Sequence, residues 1–349
     1  MKLFTTKLIV IFSLVILGAS NSYSAAVTQI DKQVFSDGDG EDLSSVMGDV
    51  VFNNDGTKMF TSYSNNTGNN TNDDVINEYT LSIPYDISSA TYAGASERCA
   101  VTDGENGKKD LAMLSFSFSD DGMKIFVAQR GLNGVANSFV NRLDLTSAFD
   151  VSTCVYVNEI NVDTDLLQNG STAGPRVNTS NRNNLQGLDI TNDGTKMFLT
   201  MNDRDGNQSV KKYNFATPYD LNTITIDPSA IVLQKENPFG IFFGNNGKRL
   251  FVSFIGVNPN KGIIEQYTLD TAYDLSSFTL DGQIGLEEMD SDLDDLINVS
   301  FSKDGLKMFA AHRQDEKVFE YNVSCPFTVV EGKCVSITNN SDRIGIAEA

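Results

Sequence analysis

Ile190-Thr-Asn-Asp-Gly-Thr-Lys-Met-Phe198 runs from an apolar residue through a polar Asp-Gly turn and back into apolar chain. The same pattern recurs as Phe52-Asn-Asn-Asp-Gly-Thr-Lys-Met-Phe60, Phe118-Ser-Asp-Asp-Gly-Met-Lys-Ile-Phe126, Phe243-Gly-Asn-Asn-Gly-Lys-Arg-Leu-Phe251 and Phe301-Ser-Lys-Asp-Gly-Leu-Lys-Met-Phe309. Asp-Gly or Asn-Gly between apolar flanks is the strongest short hairpin signal, and the two-residue form of that turn asks for positive φ at both central residues. A third strand follows each hairpin, and after a second turn a fourth: Val75–Tyr79 to Tyr85-Asp-Ile-Ser88, Val140–Leu143 to Phe149-Asp-Val-Ser152, Val210–Tyr213 to Tyr219-Asp-Leu221 and Ile264–Tyr267 to Tyr273-Asp-Leu-Ser276. The fifth copy stops after Val318–Tyr321 and Pro326-Phe327.

The turn glycines stand at 56, 122, 194, 247 and 305, so the steps of 66, 72, 53 and 58 residues each hold four short strands and one variable loop. That spacing defines the blade of a β-propeller, and the predicted fold is all-β with five four-stranded antiparallel blades. Glu159 to Asn184 leaves room for a degenerate sixth. Lys196-Met-Phe-Leu-Thr200 is apolar on both faces, as a sheet sandwiched between two neighbours requires. Val27 to Phe35 reads as a fourth strand without a blade, so the N-terminus is expected to pair into the last blade and close the ring. Closure removes sheet edges that would otherwise pair with other chains. The domain reading is a signal peptide at 1–26, the propeller at 27–324 and a C-terminal tail at 325–349.

The units resemble the Asp-Gly-x-Lys repeats of bacterial propellers of the YVTN, lactonase-like and TolB-like kind. This resemblance covers 27–324 and specifies the blade far better than any activity. Cys325-Pro-Phe-Thr-Val-Val-Glu-Gly-Lys-Cys334 and the residues after it are similar to the stretch that joins a propeller passenger to an outer-membrane barrel in autotransporter-like proteins. The expectation is either a truncated passenger or a stand-alone secreted relative.

Lys2 and Lys7, the apolar run Leu8 to Ala19 and the small residues Ser22, Ser24, Ala25 and Ala26 form a secretion signal, too short in its apolar part for a membrane span. The expected address is secreted, periplasmic or cell-surface, with no transmembrane segment after cleavage. Four cysteines suit an oxidising compartment. Cys325 with Cys334 would staple a C-terminal hairpin, and Cys99 with Cys154 would cross-link neighbouring units, one of three possible connectivities. With 26 Lys and Arg against 46 Asp and Glu, the formal net charge of -20 disfavours nucleic acid and anionic lipid. One histidine excludes a His-pair metal site.

Loops leading into the inner strands converge on one mouth of a propeller channel, where ligands bind. Asp42, Asp110, Asn184, Asn237 and Asp295 occupy those loops and would offer calcium the oxygen ligands it prefers. Resemblance to lactonase-type propellers would make that ion a Lewis acid on an ester carbonyl. Asp and Asn also cap turns at strand entrances. Their distances to the following Phe or Ile are 10 and 8 residues in the first two copies and 6 in the others, which breaks the symmetry of a five-ligand ring. His312 follows the last second strand, at a place held elsewhere by Tyr63, Gln129, Met201 and Phe254, and is the one candidate general base, beside Asp295. Arg130 and Arg313, one residue further on, are candidates for binding a carboxylate or sugar acid. Asp37–Asp42, Asn202–Asn207 and Asp290–Asp295 alternate oxygen ligands but lack the glycine and glutamate of a helix-loop-helix calcium loop. The Asp of the repeated Tyr-Asp-Leu-Ser turn is expected to accept backbone amides.

Two functions follow. One is an exported, non-catalytic binding module whose loops Tyr63–Asp73, Gln168–Asn184 and Asp203–Ser209 meet a glycan, protein or small molecule. The other is a calcium-dependent lactonase-like hydrolase with Asn184, Asn237 and Asp295 as ligands. One lone histidine and an irregular ring favour the first.

Overall fold

The computed structural model describes residues 26–35, 45–65, 74–101, 111–131, 138–162, 183–203, 208–256, 262–286 and 295–334. They form five antiparallel sheets. Blade 1 holds β2 (Ser45–Phe52), β3 (Lys58–Asn65), β4 (Val75–Leu81) and an outer strand in two pieces, β5 (Ala90–Tyr92) and β6 (Cys99–Ala100). Blade 2 holds β7 (Leu111–Phe118), β8 (Lys124–Gly131), β9 (Phe139–Asp144) and β10 (Val155–Asn161). Blade 3 holds β11 (Asn183–Ile190), β12 (Lys196–Asp203), β13 (Gln208–Phe215) and β14 (Ile224–Val232). Blade 4 holds β15 (Pro238–Gly244), β16 (Arg249–Ile255), β17 (Gly262–Leu269) and β18 (Phe278–Gly285). Blade 5 holds β19 (Leu296–Phe301), β20 (Lys307–His312) and β21 (Lys317–Val323), and its outer strand is β1 (Val27–Val34), paired antiparallel to β21 from Val27–Val323 to Val34–Lys317. The N-terminal strand thus closes the ring. The architecture is a five-bladed β-propeller; residues 163–182, where a sixth blade had room, and the signal segment 1–25 lie outside the described residues.

The repeated motif builds the ring as well as the hairpin. Within each copy the turn glycine is in the left-handed region, and the aromatic of the second turn lies on it. Tyr85, Phe149, Tyr219, Tyr273 and Phe327 donate their N–H to the carbonyls of Gly56, Gly122, Gly194, Gly247 and Gly305 at 2.9–3.0 Å. These aromatics themselves take φ of 50–61°, a conformation that non-glycine residues hold only when fixed by surrounding contacts. Four of the aromatics then stack on the second-strand Phe of the preceding blade: Tyr85 on Phe309, Phe149 on Phe60, Tyr219 on Phe126 and Tyr273 on Phe198, at 6.0–6.5 Å and 25–26°. The motif lysine adds a polar latch at two seams. Lys58 Nζ donates to Phe149 O and Lys307 Nζ to Tyr85 O, both at 2.8 Å, while each pairs with a buried acid of its own third strand, Glu78 or Glu320.

Two local expectations change. In the four Asp-Gly copies only the glycine has positive φ; Asn53 N bonds Lys58 O at 3.1 Å and Gly56 N bonds Asn53 O, making a four-residue loop rather than a two-residue turn. The reason is Asp55, whose carboxylate accepts Thr57 N at 3.0 Å, as Asp121, Asp193 and Asp304 do for their own loops. Tyr85-Asp-Ile-Ser88 and its copies are also not strand: Ile87–Ser89, Val151–Thr153 and Leu221–Thr223 are single 3₁₀ turns that precede the fourth strand. Asp86, Asp220 and Asp274 accept the backbone amide two residues on, as expected of them.

Both disulfides form as expected. Cys99–Cys154 ties the outer strand of blade 1 to blade 2, and Cys325–Cys334 closes the C-terminal loop. Residues 325–334 carry Phe327 onto Gly305, so they supply the fifth copy of the aromatic turn. Val329 N donates to Gln266 Oε1 of blade 4 at 2.7 Å, just as Ile87 N donates to Glu320 of blade 5. Replacing Cys334 by alanine is expected to cost about 2–3 kcal/mol through the loop entropy released in the unfolded chain, read as an earlier denaturation midpoint. An unchanged midpoint would show that Phe327 and Val329 hold the turn without the bridge.

Candidate functional site: the channel and the variable face

The propeller has two unlike faces. On one lie the first-to-second strand connections, 53–57, 119–123, 191–195, 245–248 and 302–306, four or five residues each, together with the aromatic turns locked over them. At the other the strand ends are joined by the second-to-third connections, 66–74, 132–138, 204–207, 256–261 and 313–316, and by the entrances to the inner strands, 35–44, 101–110, 162–182, 233–237 and 286–295; of the loops expected to bind a ligand, 66–73, 168–182 and 204–207 lie outside the described residues. The connections on this side run from 4 to 21 residues. Every large difference in length between blades falls on this second, variable face.

Between the faces the inner strands of neighbouring blades meet one another around the channel. Each carries a β-bulge at the same register, at Gly48, Leu114, Gln186, Phe239–Gly240 and Ile297. A bulge bends its strand and re-aims the neighbouring side chains. Just below it, Asp49 accepts Ser115 Oγ at 2.8 Å and Phe116 N at 3.1 Å from blade 2, Val50 N at 2.7 Å, and the Asn298 side-chain amide from blade 5. Opposite, Gly187 and Gly240 let the strands approach: a Cβ on Gly240 would stand 2.0 Å from Asn298 Oδ1, and one on Gly187 2.4 Å from Phe239 O. Asp189 spans the seam from blade 3 to blade 4, accepting Ile190 N and Phe243 N at 2.8 Å. Burial pushes Asp49 up to about 7; burial, with the charge of Asp49 adding to it, pushes Asp189 to the same value.

Above the bulges the seam of blades 1 and 2 is polar and buried. Asp74 Oδ2 accepts Met113 N at 3.0 Å and Gln129 Nε2 at 3.2 Å, and Gln129 in turn accepts from Asn141. At the seam of blades 3 and 4, Glu265 shares a strand face with Ile263 and Tyr267 and is buried, with Lys235 Nζ 3.5 Å away, and accepts the Tyr267 hydroxyl. These acids and amides were not singled out in sequence. A carboxyl inside an apolar strand, as in Gly48-Asp-Val-Val-Phe52 or Leu188-Asp-Ile190, is the signal that could have found Asp49 and Asp189.

The residues expected to carry a site are placed as follows. Asp42 and Asp110 lie outside the described residues, and Asn184 is placed by its backbone at the start of β11. Asn237 is exposed with φ of 56°. Asp295 is buried at the foot of β19, where its carbonyl accepts Arg313 N at 3.0 Å. The pairings Met47–Tyr63, Met113–Gln129, Leu185–Met201, Pro238–Phe254 and Leu296–His312 confirm that the five second-strand positions are equivalent. His312 is buried, not on the rim, and its Nδ1 accepts Asp315 N at 3.1 Å. Alternation along the sheet points it with Leu296 toward blade 4, away from the Arg313 side. Arg130 Nη1 donates to Gln186 Oε1 at 3.3 Å; Arg313 is half-buried. Among the described residues no three His, Cys, Asp or Glu side chains are grouped to hold a metal ion. No described helix is long and apolar enough to cross a membrane.

Fold and face together define a closed five-bladed β-propeller with a uniform face, a variable face and a hydrogen-bonded channel. No family profile and no curated protein matches the chain. Solved structures similar to it include a provisionally named 6-phosphogluconolactonase of Bacteroides uniformis ATCC 8492, 12% identical over 75% of this chain and 63% of that one, TM-score 0.40. Others are the Cps50 (Swd1) β-propeller domain of Myceliophteria thermophila, 9% identical over 85% and 100%, TM-score 0.41, and the Kuenenia stuttgartiensis hydrazine synthase, 13% identical over 79% and 71%, TM-score 0.41. The chain spans less than two thirds of the Bacteroides protein. These are likenesses of fold and assign no activity.

Proposed function

We propose that the protein is an exported or cell-surface binding module that meets its ligand, a glycan, protein or small molecule, on the variable face. The observation that carries this reading is the split between the faces: near-uniform connections on one side, of four or five residues between first and second strands and of 8 to 10 between third and fourth, and connections of 4 to 21 on the other. Binding residues concentrate on loops held by a rigid scaffold, and a ring locked at every seam is such a scaffold. The two disulfides suit an oxidising compartment.

Shortening residues 163–182 to a five-residue turn is the test, run with a glycan array and a panel of secreted proteins. Any ligand captured by the native chain is expected to bind at least tenfold more weakly to the shortened chain or to one with residues 66–73 trimmed, with the melting temperature nearly unchanged. A ligand that ignores both changes and is lost on altering the hairpin at 119–123 would overturn the reading. The hydrolase alternative requires calcium. Metal analysis of purified protein, with melts in calcium and in chelator, separates it, since an ion bound only by the folded state must raise the melt.

A further inference from the structure

On the variable face the second strands end at five equivalent positions, Ser64, Arg130, Asn202, Ile255 and Arg313, set against Val46, Ala112, Asn184, Asn237 and Asp295 of the inner strands. Arg130 turns toward the next blade, and the alternation of β20, carried one residue past its end, directs Arg313 the same way. Arg130 shares a strand face with Phe126 and Ala128, which pack on Leu188 and Ile190 of blade 3; Arg313 shares one with Phe309 and Ala311, which pack on Met47 and Val50 of blade 1. The arginines differ in what awaits them. For Arg130 it is the bulge residue Gln186, whose Oε1 accepts at 3.3 Å. For Arg313 the bulge residue is Gly48, which has no side chain. Among the described residues, Arg313 Nε is buried without a partner, and so is Oδ2 of Asp295, which is itself only 8% exposed.

A guanidinium and a carboxylate therefore stand on opposed strand positions, each with an unanswered buried atom. Leaving such atoms unanswered costs free energy that a ligand bearing the complementary groups would recover. Resting on the variable-face reading, we propose that Asp295 and Arg313 form a subsite for the zwitterionic head of an α-amino acid, its ammonium donating to Asp295 and its carboxylate accepting from Arg313. Opposed positions have Cβ atoms about 5 Å apart, close enough for one such head to reach both. The head carries no net charge, so a chain of formal charge -20 does not repel it as it would a bare anion. A bare cation would leave Arg313 unanswered.

The test is calorimetric titration of the full chain with glycine and with L-alanine, and with acetate and methylammonium as the separated halves. Saturable binding of an amino acid is expected, at least tenfold tighter than either half. Arg313→Gln and Asp295→Asn should each weaken it at least tenfold, and Arg130→Gln should leave it unchanged. Arg313 is half-buried, so its variant keeps the test alive should Asp295→Asn fail to fold. No saturable binding, acetate as tight as glycine, or retained binding in Arg313→Gln would overturn the proposal. Should these fail while another ligand is still lost on shortening 163–182, the subsite falls and the binding-module reading stands.

Discussion

Gly194→Ala is expected to lower the melting temperature by about 4–10 °C, from a loss of about 2–5 kcal/mol. The residue has φ of 66°, and its added Cβ would lie 2.4 Å from ring carbons of Tyr219. The left-handed backbone alone costs an alanine about 1–2 kcal/mol, and forcing a methyl into a packed contact adds about 1–3. The ring cannot step aside cheaply: Tyr219 N is bonded to Gly194 O at 2.9 Å, and its face lies on Phe126 of the preceding blade at 6.1 Å. One methyl thus loosens a hairpin and a seam together. Gly256→Ala is the control, because Gly256 has φ of 68° with nothing among the described residues within 4 Å of the added Cβ, and it should cost only the backbone share, about 1–2 kcal/mol. Tyr219→Ala made on top of Gly194→Ala should cost less than it does in the native chain, the mark of two residues in contact. Calorimetric melts of the four variants decide it; equal losses for Gly194→Ala and Gly256→Ala would mean that the aromatic lock bears no weight.

The same lock explains what was legible in the sequence. A hairpin turn, a third strand and a cysteine spacing are local or periodic, so Gly194, Val210–Tyr213 and Cys325–Cys334 could be read from the chain alone. Closure by β1 was readable because the last copy lacked one strand and the first residues offered one. The fourth strands were placed too early, since Tyr85-Asp-Ile-Ser88 alternates like a strand until Asp86 bonds Ser88 N and folds it into a 3₁₀ turn. Pro326-Phe327 repeats Pro84-Tyr85 and Pro218-Tyr219, so the end of the fifth copy is also legible, and Phe327 N does bond Gly305 O as its counterparts bond their own glycines. The register at the variable face was correct, which is why Arg130 and Arg313 were named together. What separates them could not be read: it depends on the bulge of the next blade, Gln186 for one and Gly48 for the other. The channel was hidden for the same reason, because Asp49 meets Asn298 across 249 residues of sequence.

Stability should fall as pH rises from about 6 to 8, by about 3 kcal/mol or about 5 °C in melting temperature. Asp49 and Asp189 take up protons at about 7 in the fold, against the ordinary 3.8 in the unfolded chain. Between those values the native state holds more protons than the unfolded one. Its advantage is therefore complete below about pH 4 and is lost as pH rises through 7, by about 4 kcal/mol per group in all and about 1.4 between pH 6 and 8. Asp55, Asp121 and Asp193 work in the opposite sense. Hydrogen bonds within their turns hold them below the ordinary value, Thr57 on Asp55 and Ser119 on Asp121 first among them, so their contribution vanishes only on acidification. The two slopes enclose a stability maximum near pH 5. Asp49→Asn should remove at least half of the slope between pH 6 and 8 whatever it does to the absolute melting temperature, and a His312→Gln background takes the one imidazole out of the comparison. A melting temperature that is flat or rising from pH 6 to 8, or a slope unchanged in Asp49→Asn, would mean that the channel carboxylates stay ionised, held by the four donors around Asp49 against the cost of burial.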